Sequence, residues 1–213
     1  MKADLRTIAC NYLRTGILNG DFPNGAPIRE MEIAETLQMS RAPIREAIRL
    51  LESEGVLVSY PSRGAFVASL TLRDVQEICQ LRILLELYAL DVAFDSYSAE
   101  EFEEFRLAFQ QSYVNHDWET YHLTDRQFHD LLVGKCGLSR LTAFLDTLNF
   151  QIERLRRFME QSPQRMAESY EAHLRIIEYI CKKERQMAKL ELERHLRAVI
   201  IASAEAYKEF QSE

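Results

Sequence analysis

Residues 40–55 read SRAPIREAIRLLESEG, a pattern that predicts one short helix with two different faces. Ser40 is a favourable N-cap, Pro43 falls in the first turn, where its missing N–H is tolerated, and Gly55 follows the last turn, where a left-handed residue is favoured. Apolar residues recur at helical spacing on one face, and arginines recur every fourth residue on another. The apolar residues are Ile44, Ala47, Ile48 and Leu51, and the arginines are Arg41, Arg45 and Arg49. A ridge of arginines on a small helix is suited to binding DNA.

The residues on either side of this helix predict a winged helix-turn-helix. Residues 29–37 have helical apolar spacing and are joined to Ser40 by only two residues, which indicates a first helix and a tight turn. In such a pair, the first residues of the second helix contact base edges in the major groove, while the first helix crosses the backbone. Further on, residues 56–60 and 65–68 read as two strands joined by the turn-like Pro61-Ser62-Arg63-Gly64. A helix-turn-helix followed by a hairpin indicates a winged helix.

The sequence from residue 28 to residue 67 resembles the DNA-binding domain of the GntR family of transcriptional regulators. It reads IREMEIAETLQMSRAPIREAIRLLESEGVLVSYPSRGAFV, and the resemblance covers about the first 70 residues. It implies contacts to double-stranded operator DNA from Arg41 and Arg45, with the wing tip around Gly64 near the minor groove. The predicted DNA-binding residues are Arg29, Ser40, Arg41, Arg45, Arg49, Arg63 and Gly64.

Two residues depart from the pattern of that family. Met31 stands where many relatives carry an arginine, and Arg29 is the candidate to supply the missing charge. Gln38 stands where the turn usually has glycine. A non-glycine residue in a left-handed conformation costs on the order of 1 kcal/mol, so we expect Gln38 to weaken the turn without abolishing it.

The charge of the chain is unevenly divided between its two parts. The net charge is −7, yet residues 1–70 hold eight basic and eight acidic residues, which leaves 18 basic and 25 acidic residues for the rest. A neutral domain whose arginines are gathered on one helix can still bind phosphates. The length of 213 residues, of which 47% are hydrophobic, suits two domains. We expect a winged helix-turn-helix domain over residues 1–70 and a second domain over residues 71–213.

The apolar segments and the cysteines exclude several classes of protein. No apolar run approaches the roughly 18 to 20 residues of a membrane span, and the first residues lack the apolar region of a signal peptide. A cytoplasmic location is therefore expected. The cysteines Cys10, Cys79, Cys136 and Cys181 are scattered without a C-x-x-C pair, so neither a disulfide framework nor a zinc ribbon is indicated.

The second domain is predicted to be entirely helical. No proline or glycine occurs between Gly64 and Gly134, and a break is indicated at Ser162-Pro163. The predicted helices lie near 72–95, 99–115, 117–136, 138–160, 164–183 and 184–210, after a first helix from about residue 4 to residue 19 in the N-terminal domain. The fold class is therefore mainly α, with an N-terminal winged helix-turn-helix followed by an all-α helical bundle.

Four residues of this bundle form a candidate metal site. Asp125 and His129 are spaced i, i+4 and share one helix face, while His173 and His195 each lie in register with the apolar side of their own helix. Such residues from three helices can meet in a bundle core and would suit a divalent transition metal, with zinc as the first choice and nickel, cobalt, manganese or iron as alternatives. Spacing alone leaves a second interpretation equally open, in which each is a core polar group with its own hydrogen bond.

Residues 71–210 resemble the FCD domain of FadR-type GntR regulators, of the six-helix, VanR-like kind. Asp125, His129, His173 and His195 fall on the metal-binding pattern of that domain without a substitution, which implies one divalent transition metal per chain. A metal with four protein ligands in an octahedral field leaves two positions for water or for the carboxylate of a small organic acid.

Two arginines are candidates to bind such an effector. Arg82 lies between apolar neighbours on its predicted helix, and an inward guanidinium needs an anionic partner. That partner is either Glu86 at i+4 or the carboxylate of an effector, and the sequence leaves both open. Arg154 is a weaker candidate of the same kind.

These features predict a DNA-binding transcriptional regulator whose operator affinity is controlled by a small carboxylate bound at or near a metal. We expect a homodimer on an inverted repeat, because one winged helix buries too little for tight specific binding. The alternative is a metal-dependent enzyme that uses the centre of three histidines and one aspartate, although the sequence marks no base or nucleophile for it. A third possibility is a regulator whose metal is only structural.

Overall fold

The computed structural model describes the backbone of residues 4–158 and 163–212, and the side chains of residues 4–154, 164–198, 200 and 201. Within these ranges the chain forms nine α-helices and one three-stranded sheet, which confirms the predicted mainly α fold class. The chain divides into two compact units. The first holds the described residues up to Thr71 together with Thr147–Arg157, and the second holds Leu72–Asp146 and the described residues after Arg157. No helix in the described ranges is both long enough and apolar enough to cross a membrane.

The first unit is a winged helix-turn-helix. Its elements are α1 (Leu5–Asn19), β1 (Pro27–Ile28), α2 (Glu30–Thr36), α3 (Arg41–Ser53), β2 (Leu57–Tyr60) and β3 (Gly64–Val67). The strands are antiparallel in the order β1-β3-β2, with Val58 opposite Phe66 and Tyr60 opposite Gly64. The predicted hairpin is thus confirmed. Strand β1 was not predicted, because two residues are too short to show an alternating pattern.

Helix α3 begins and ends where its sequence predicts. Ser40 occupies the N-cap position in an extended conformation, although its side chain makes no capping hydrogen bond. Gly55 is left-handed with φ 70°, and the N–H of Val56 donates to the carbonyl of Leu51 at 2.8 Å. This is the Schellman arrangement, in which glycine avoids the steric cost of positive φ. The apolar face is buried, with Ile44, Ala47, Ile48 and Leu51 in the core of the unit.

The turn between α2 and α3 is left-handed at Gln38, as the sequence predicted. Its φ is 51°, its N–H donates to the carbonyl of Glu35, and the N–H of Met39 donates to the carbonyl of Ala34 at 3.0 Å. The same bonding pattern closes α3 at Gly55. Gln38 therefore adopts a conformation that is strained by about 1 kcal/mol, and the hydrogen bonds of the turn are nevertheless made.

The second unit is a helical bundle whose elements lie close to the predicted ones. They are α4 (Leu72–Ala93), α5 (Ala99–Val114), α6 (Trp118–Gly134), α7 (Ser139–Phe158), α8 (Pro163–Cys181) and α9 (Arg185–Ser212). Helix α5 begins with a capping box, in which the Ser98 side chain accepts from the Glu101 N–H and the Glu101 carboxylate accepts from the Ser98 N–H. Of the break predicted at Ser162-Pro163, Ser162 lies outside the described residues, and α8 begins at Pro163.

Helix α7 contributes its second half to the first unit. Phe150 lies in the apolar core of that unit, and the Gln151 side-chain amide donates to the backbone carbonyl of Glu54 at 3.3 Å. The expected domain limits of 1–70 and 71–213 do not include this contribution. Sequence periodicity predicts that α7 is a helix but carries no signal for which core its faces contact. As limits of functional modules, 1–70 and 71–213 stay a prediction.

Candidate metal centre and nucleic-acid interface

The arginine ridge of α3 lies on the exposed side of the first unit. Arg41, Arg45 and Arg49 are all exposed, while the apolar face of the same helix is buried. Ser40 is exposed at the start of the helix, and its hydroxyl is not used as a cap. The N-terminal end of α3 therefore presents a hydroxyl and two guanidinium groups to solvent.

Two of these arginines converge on one carboxylate. Oε2 of Glu30 accepts from Nη2 of Arg41 at 2.9 Å and from Nε of Arg45 at 2.8 Å. Glu30 is the first residue of α2, so these ion pairs join the two helices of the motif. The role of Glu30 was not predicted from the sequence, because contacts across 11 and 15 residues leave no mark in helical periodicity.

The remaining predicted DNA-binding residues are also at the surface. Arg29 is exposed and pairs with Glu32 at 2.9 Å, next to the exposed Met31. On the wing, the guanidinium of Arg63 lies over the rings of Tyr60 at 5.8 Å and Phe66 at 5.5 Å. Gly64 has φ 86°, which glycine adopts without a steric cost. Both ends of the motif thus carry an exposed cation.

The four predicted metal ligands meet in the interior of the second unit. Asp125 and His129 come from α6, His173 from α8 and His195 from α9, and all four are buried. One ligand atom from each lies within 4.8 Å of the other three. Helical register therefore predicted correctly which residues come together. Three imidazoles and one carboxylate at this separation are a donor set that suits a divalent transition metal.

Two histidine nitrogens face the carboxylate of Asp125. Nε2 of His173 lies 3.0 Å from Oδ1 of Asp125, and Nε2 of His129 lies 3.7 Å from the same oxygen. Within the described part of the chain, Nε2 of His129 is buried and makes no hydrogen bond. A buried polar atom without a partner costs about 1–3 kcal/mol, so this atom fits the role of a metal ligand better than that of an ordinary core group.

Outer contacts fix the orientation of these rings. Nδ1 of His129 lies 2.6 Å from Oε2 of Glu86, and Nδ1 of His173 lies 3.1 Å from the hydroxyl of Tyr121. The His173 ring also stacks on Phe109 at 4.3 Å between centroids. A histidine that donates Nδ1–H to a carboxylate presents the lone pair of Nε2 to a metal. Glu86 thus orients His129, a role that the sequence analysis did not assign.

His195 is held neutral by its surroundings. Burial lowers its pKa well below the usual value, and the neighbouring His173 and His129 lower the pKa further. Its ring is nearly parallel to that of His129, 5.5 Å away. Because only neutral imidazole binds a metal, this environment favours coordination.

Arg82 has an internal partner. Its Nε lies 2.5 Å from Oε1 of Glu86, and both side chains are buried. Burial opposes ionisation of Glu86, but Arg82 and His129 lower its pKa to about 2, so the carboxylate is charged. Of the two partners that the sequence left open for Arg82, the structure therefore favours Glu86.

Arg154 is not placed with the metal cluster. It belongs to the first unit, where its guanidinium donates to the side chains of Asn24 and Gln151 and to the carbonyl of Ala68. Burial lowers its pKa to about 10. Its donors are thus used within the first unit, and a role of Arg154 in effector binding stays a prediction that this geometry does not support.

A cavity of about 240 Å³ opens beside the cluster, between α8 and α9. His195 forms part of its wall, and its charged lining is Arg165, Arg175 and Arg194 together with Glu168 and Glu171. Arg175 and Arg194 both pair with Oε1 of Glu191, at 2.8 Å and 2.6 Å. These arginines were not predicted as site residues, because charged residues on amphipathic helices usually form a solvated face.

Comparisons with known proteins agree with this geometry. The model of the bacterial regulatory proteins of the gntR family matches residues 7–67, and the model of the FCD domain matches residues 77–198. The chain is 33% identical over 183 residues to the uncharacterized HTH-type transcriptional regulator YdhC of Bacillus subtilis, covering 84% of this chain and 82% of that protein. It is 32% identical over 168 residues to the Nta operon transcriptional regulator of Aminobacter aminovorans, covering 76% of this chain and 77% of that protein. The solved structure of E. coli McbR/YncC has the same fold, with a TM-score of 0.79 and 22% identity. The match covers 98% of this chain and 99% of that chain.

Proposed function

Because the chain belongs to the GntR family of bacterial regulatory proteins and carries an FCD domain, we propose that its operator affinity is set by a small carboxylate bound beside the metal centre. Like its relatives, the protein is a DNA-binding transcriptional regulator and not an enzyme. The observation that carries the proposal is the position of His195, which belongs both to the ligand cluster and to the wall of the arginine-lined cavity. A cytoplasmic location stays a prediction.

On the DNA side, the proposed contacts are made by the start of α3 and by the wing. Ser40, Arg41 and Arg45 would contact base edges in the major groove, and Arg49 and Arg29 the adjacent phosphates. Arg63 and Gly64 would lie near the minor groove. The exposure of all these residues on one motif supports the assignment.

On the regulatory side, Asp125, His129, His173 and His195 would hold one divalent transition metal per chain. Zinc is the first choice, with nickel, manganese, cobalt and iron as alternatives. A bound metal supplies Lewis acidity, and hence affinity for a carboxylate. The buried donor set, the absence of a hydrogen bond at Nε2 of His129 in the described structure and the lowered pKa of His195 support this part of the proposal.

The effector is proposed to be a small organic acid that enters through the cavity between α8 and α9. Three arginines and two glutamates line that cavity, and the guanidinium groups can bind a carboxylate through charge-assisted hydrogen bonds. A volume of about 240 Å³ suits a molecule of few non-hydrogen atoms rather than a large ligand. Arg82 pairs with Glu86 and does not line this cavity.

Arg194→Ala is expected to weaken effector binding by about ten- to a hundredfold, since a hydrogen bond to a charged group contributes about 1.5–3 kcal/mol. A thermal-shift screen of small carboxylates, sugar acids and amino acids on metal-loaded protein identifies the ligand, because binding to the native state raises the melting temperature. Titration of the best ligand then gives the affinity of each variant.

The control for this variant is Arg197→Ala. Both side chains lie on α9, both are 62% exposed and both pair with a nearby glutamate, but Arg197 does not line the cavity. If Arg194→Ala and Arg197→Ala lose effector affinity equally, the cavity is not the effector-binding site. If the ligand binds but leaves operator affinity unchanged at fixed metal occupancy, the site is not regulatory.

We propose further that the protein is a homodimer and that it binds an inverted repeat. The two copies would contact each other through the outward face of α4. From Leu81 to Val92, every exposed residue of this helix is apolar, while the charged residues Arg82 and Glu86 are buried and Asp91 is half-buried. The exposed residues are Leu81, Leu84, Tyr88 and Val92. A contiguous apolar stripe about 18 Å long marks an interaction surface, and a second copy of the chain would cover it with an identical stripe.

Leu84→Glu is expected to convert the dimer to a monomer at micromolar concentration, because it places a charge at the centre of the apolar stripe. Sedimentation velocity measures the change. The control is Leu107→Glu on α5, since Leu107 is 61% exposed, close to the 66% of Leu84, and should leave the mass unchanged. A dimeric Leu84→Glu variant would exclude the α4 face as the interface.

A further inference from the structure

The carboxylate of Glu30 lies between the two arginines that we propose as base-contacting residues. One oxygen, Oε2, accepts from Arg41 at 2.9 Å and from Arg45 at 2.8 Å. Glu30 opens α2, whereas the arginines lie four residues apart on α3. The exposed ridge of α3 is therefore tied to the preceding helix by a single side chain.

We propose that Glu30 is a positioning residue for DNA recognition, which orients Arg41 and Arg45 toward the operator and limits their attraction to DNA of any sequence. This inference rests on the proposed roles of the two arginines as DNA contacts. It assigns to Glu30 an effect on specificity rather than on the fold.

The positioning effect follows from the different exposure of the three side chains. Arg41 and Arg45 are 55% and 53% exposed, whereas Glu30 is 28% exposed and thus better held by its surroundings. A long, exposed arginine loses rotamer freedom when it docks on a base, and a partner that already holds it reduces that loss. Each guanidinium uses one nitrogen for Glu30 in the described structure, and a guanidinium carries five N–H donors. Donors therefore remain for a bidentate contact to a base.

The effect on non-specific binding follows from charge. Partial burial opposes ionisation of Glu30, but the hydrogen bonds from Arg45 and Arg41 hold the pKa of its carboxyl below the usual value. An ionised Glu30 cancels one of the two positive charges at the start of α3. Non-specific affinity depends on the number of phosphates that cations neutralise, so this cancellation weakens binding to arbitrary DNA. Contacts to the operator bases depend on the orientation of the guanidinium groups as well as on their charge. Glu30 holds that orientation, so these contacts are retained.

The test compares Glu30→Gln with the wild type on two duplexes. One is the best site that the full-length wild-type protein selects from random-sequence DNA, and the other is a scrambled duplex of the same length and composition. The ratio of the two affinities is expected to fall at least about tenfold in the variant, mainly through tighter binding to the scrambled duplex. The plot of log affinity against log salt should steepen by about 0.9 for each added phosphate contact.

The matched control is Glu35→Gln, which removes the same charge from the same helix. Glu35 is exposed, and the described structure shows no ion pair between it and the α3 arginines. Its affinity ratio should equal that of the wild type. A ratio for Glu30→Gln that matches the control, with a normal circular dichroism spectrum in both, would overturn the inference.

An Arg45→Ala background separates this inference from the proposed function. If Glu30 acts through the arginines, the effect of Glu30→Gln on the ratio should shrink to about twofold there, because residues in contact have coupled effects. An undiminished effect would show that Glu30 acts otherwise and would overturn the inference. If Arg45→Ala by itself retains wild-type specificity, the proposed role of α3 fails and the inference fails with it.

Discussion

Replacing Arg45 with alanine is expected to abolish sequence-specific operator binding while leaving the fold and the dimer intact. Arg45 is exposed on α3, so its truncation opens no cavity, and alanine is the strongest helix former. A bidentate arginine contact to a base contributes about 1–3 kcal/mol of discrimination, and a dimer would lose it in both half-sites. The combined loss of about 2–6 kcal/mol corresponds to roughly thirtyfold to twenty-thousandfold in affinity.

Fluorescence anisotropy with the selected duplex and its scrambled counterpart measures this loss. Arg6→Ala is the control, because Arg6 is an exposed arginine of the same unit on α1 and its loss changes the net charge equally. The control should lower the affinity for both duplexes slightly and equally. An Arg45→Ala protein with wild-type affinity and sequence preference would refute the assignment of α3 as the recognition helix.

The sequence predicted the elements whose signal is local. The two faces of α3, the left-handed turn at Gln38 and the limits of the bundle helices follow from spacings of a few residues. Helical register placed Asp125 and the three histidines on inward faces, and the resemblance to the FCD domain indicated that they form one cluster, which the structure shows. In these cases residue type and helical phase together determine the position of the side chain.

The features that the sequence analysis missed depend on contacts between distant residues. Glu86 orients His129 across 43 residues, and Arg154 donates to Asn24 across 130 residues. Neither contact repeats with a helical period, so a glutamate that orients a ligand looks the same as one that pairs on its own helix. The cavity arginines were overlooked for a related reason, because their ion pairs with Glu191 resemble those of an ordinary solvated surface.

His173→Ala is expected to reduce the metal content of the purified protein from about one ion per chain to near zero and to lower its melting temperature. The metal would join α6, α8 and α9, so binding energy becomes folding energy. At a metal concentration about a hundredfold above Kd, the native state gains about 2.7 kcal/mol. For a chain of this size that corresponds to roughly 5–10 °C. Elemental analysis and calorimetry measure the two effects.

Two effects lower the melting temperature of the His173→Ala variant and must be distinguished. One is the loss of the metal, and the other is the cavity that truncation of a buried histidine leaves. Chelator treatment of the wild type removes only the metal and should lower the melting temperature, whereas the His173→Ala variant should respond neither to chelator nor to added zinc. His122→Ala is the control on α6, since His122 is half-buried outside the ligand cluster and its loss should leave the metal content unchanged.

If protein never exposed to chelator contains no metal, and added zinc, nickel or manganese neither binds nor stabilises it, Asp125 and the three histidines are ordinary core polar groups. Effector binding would then depend on the arginines of the cavity alone, and control through a metal would be wrong.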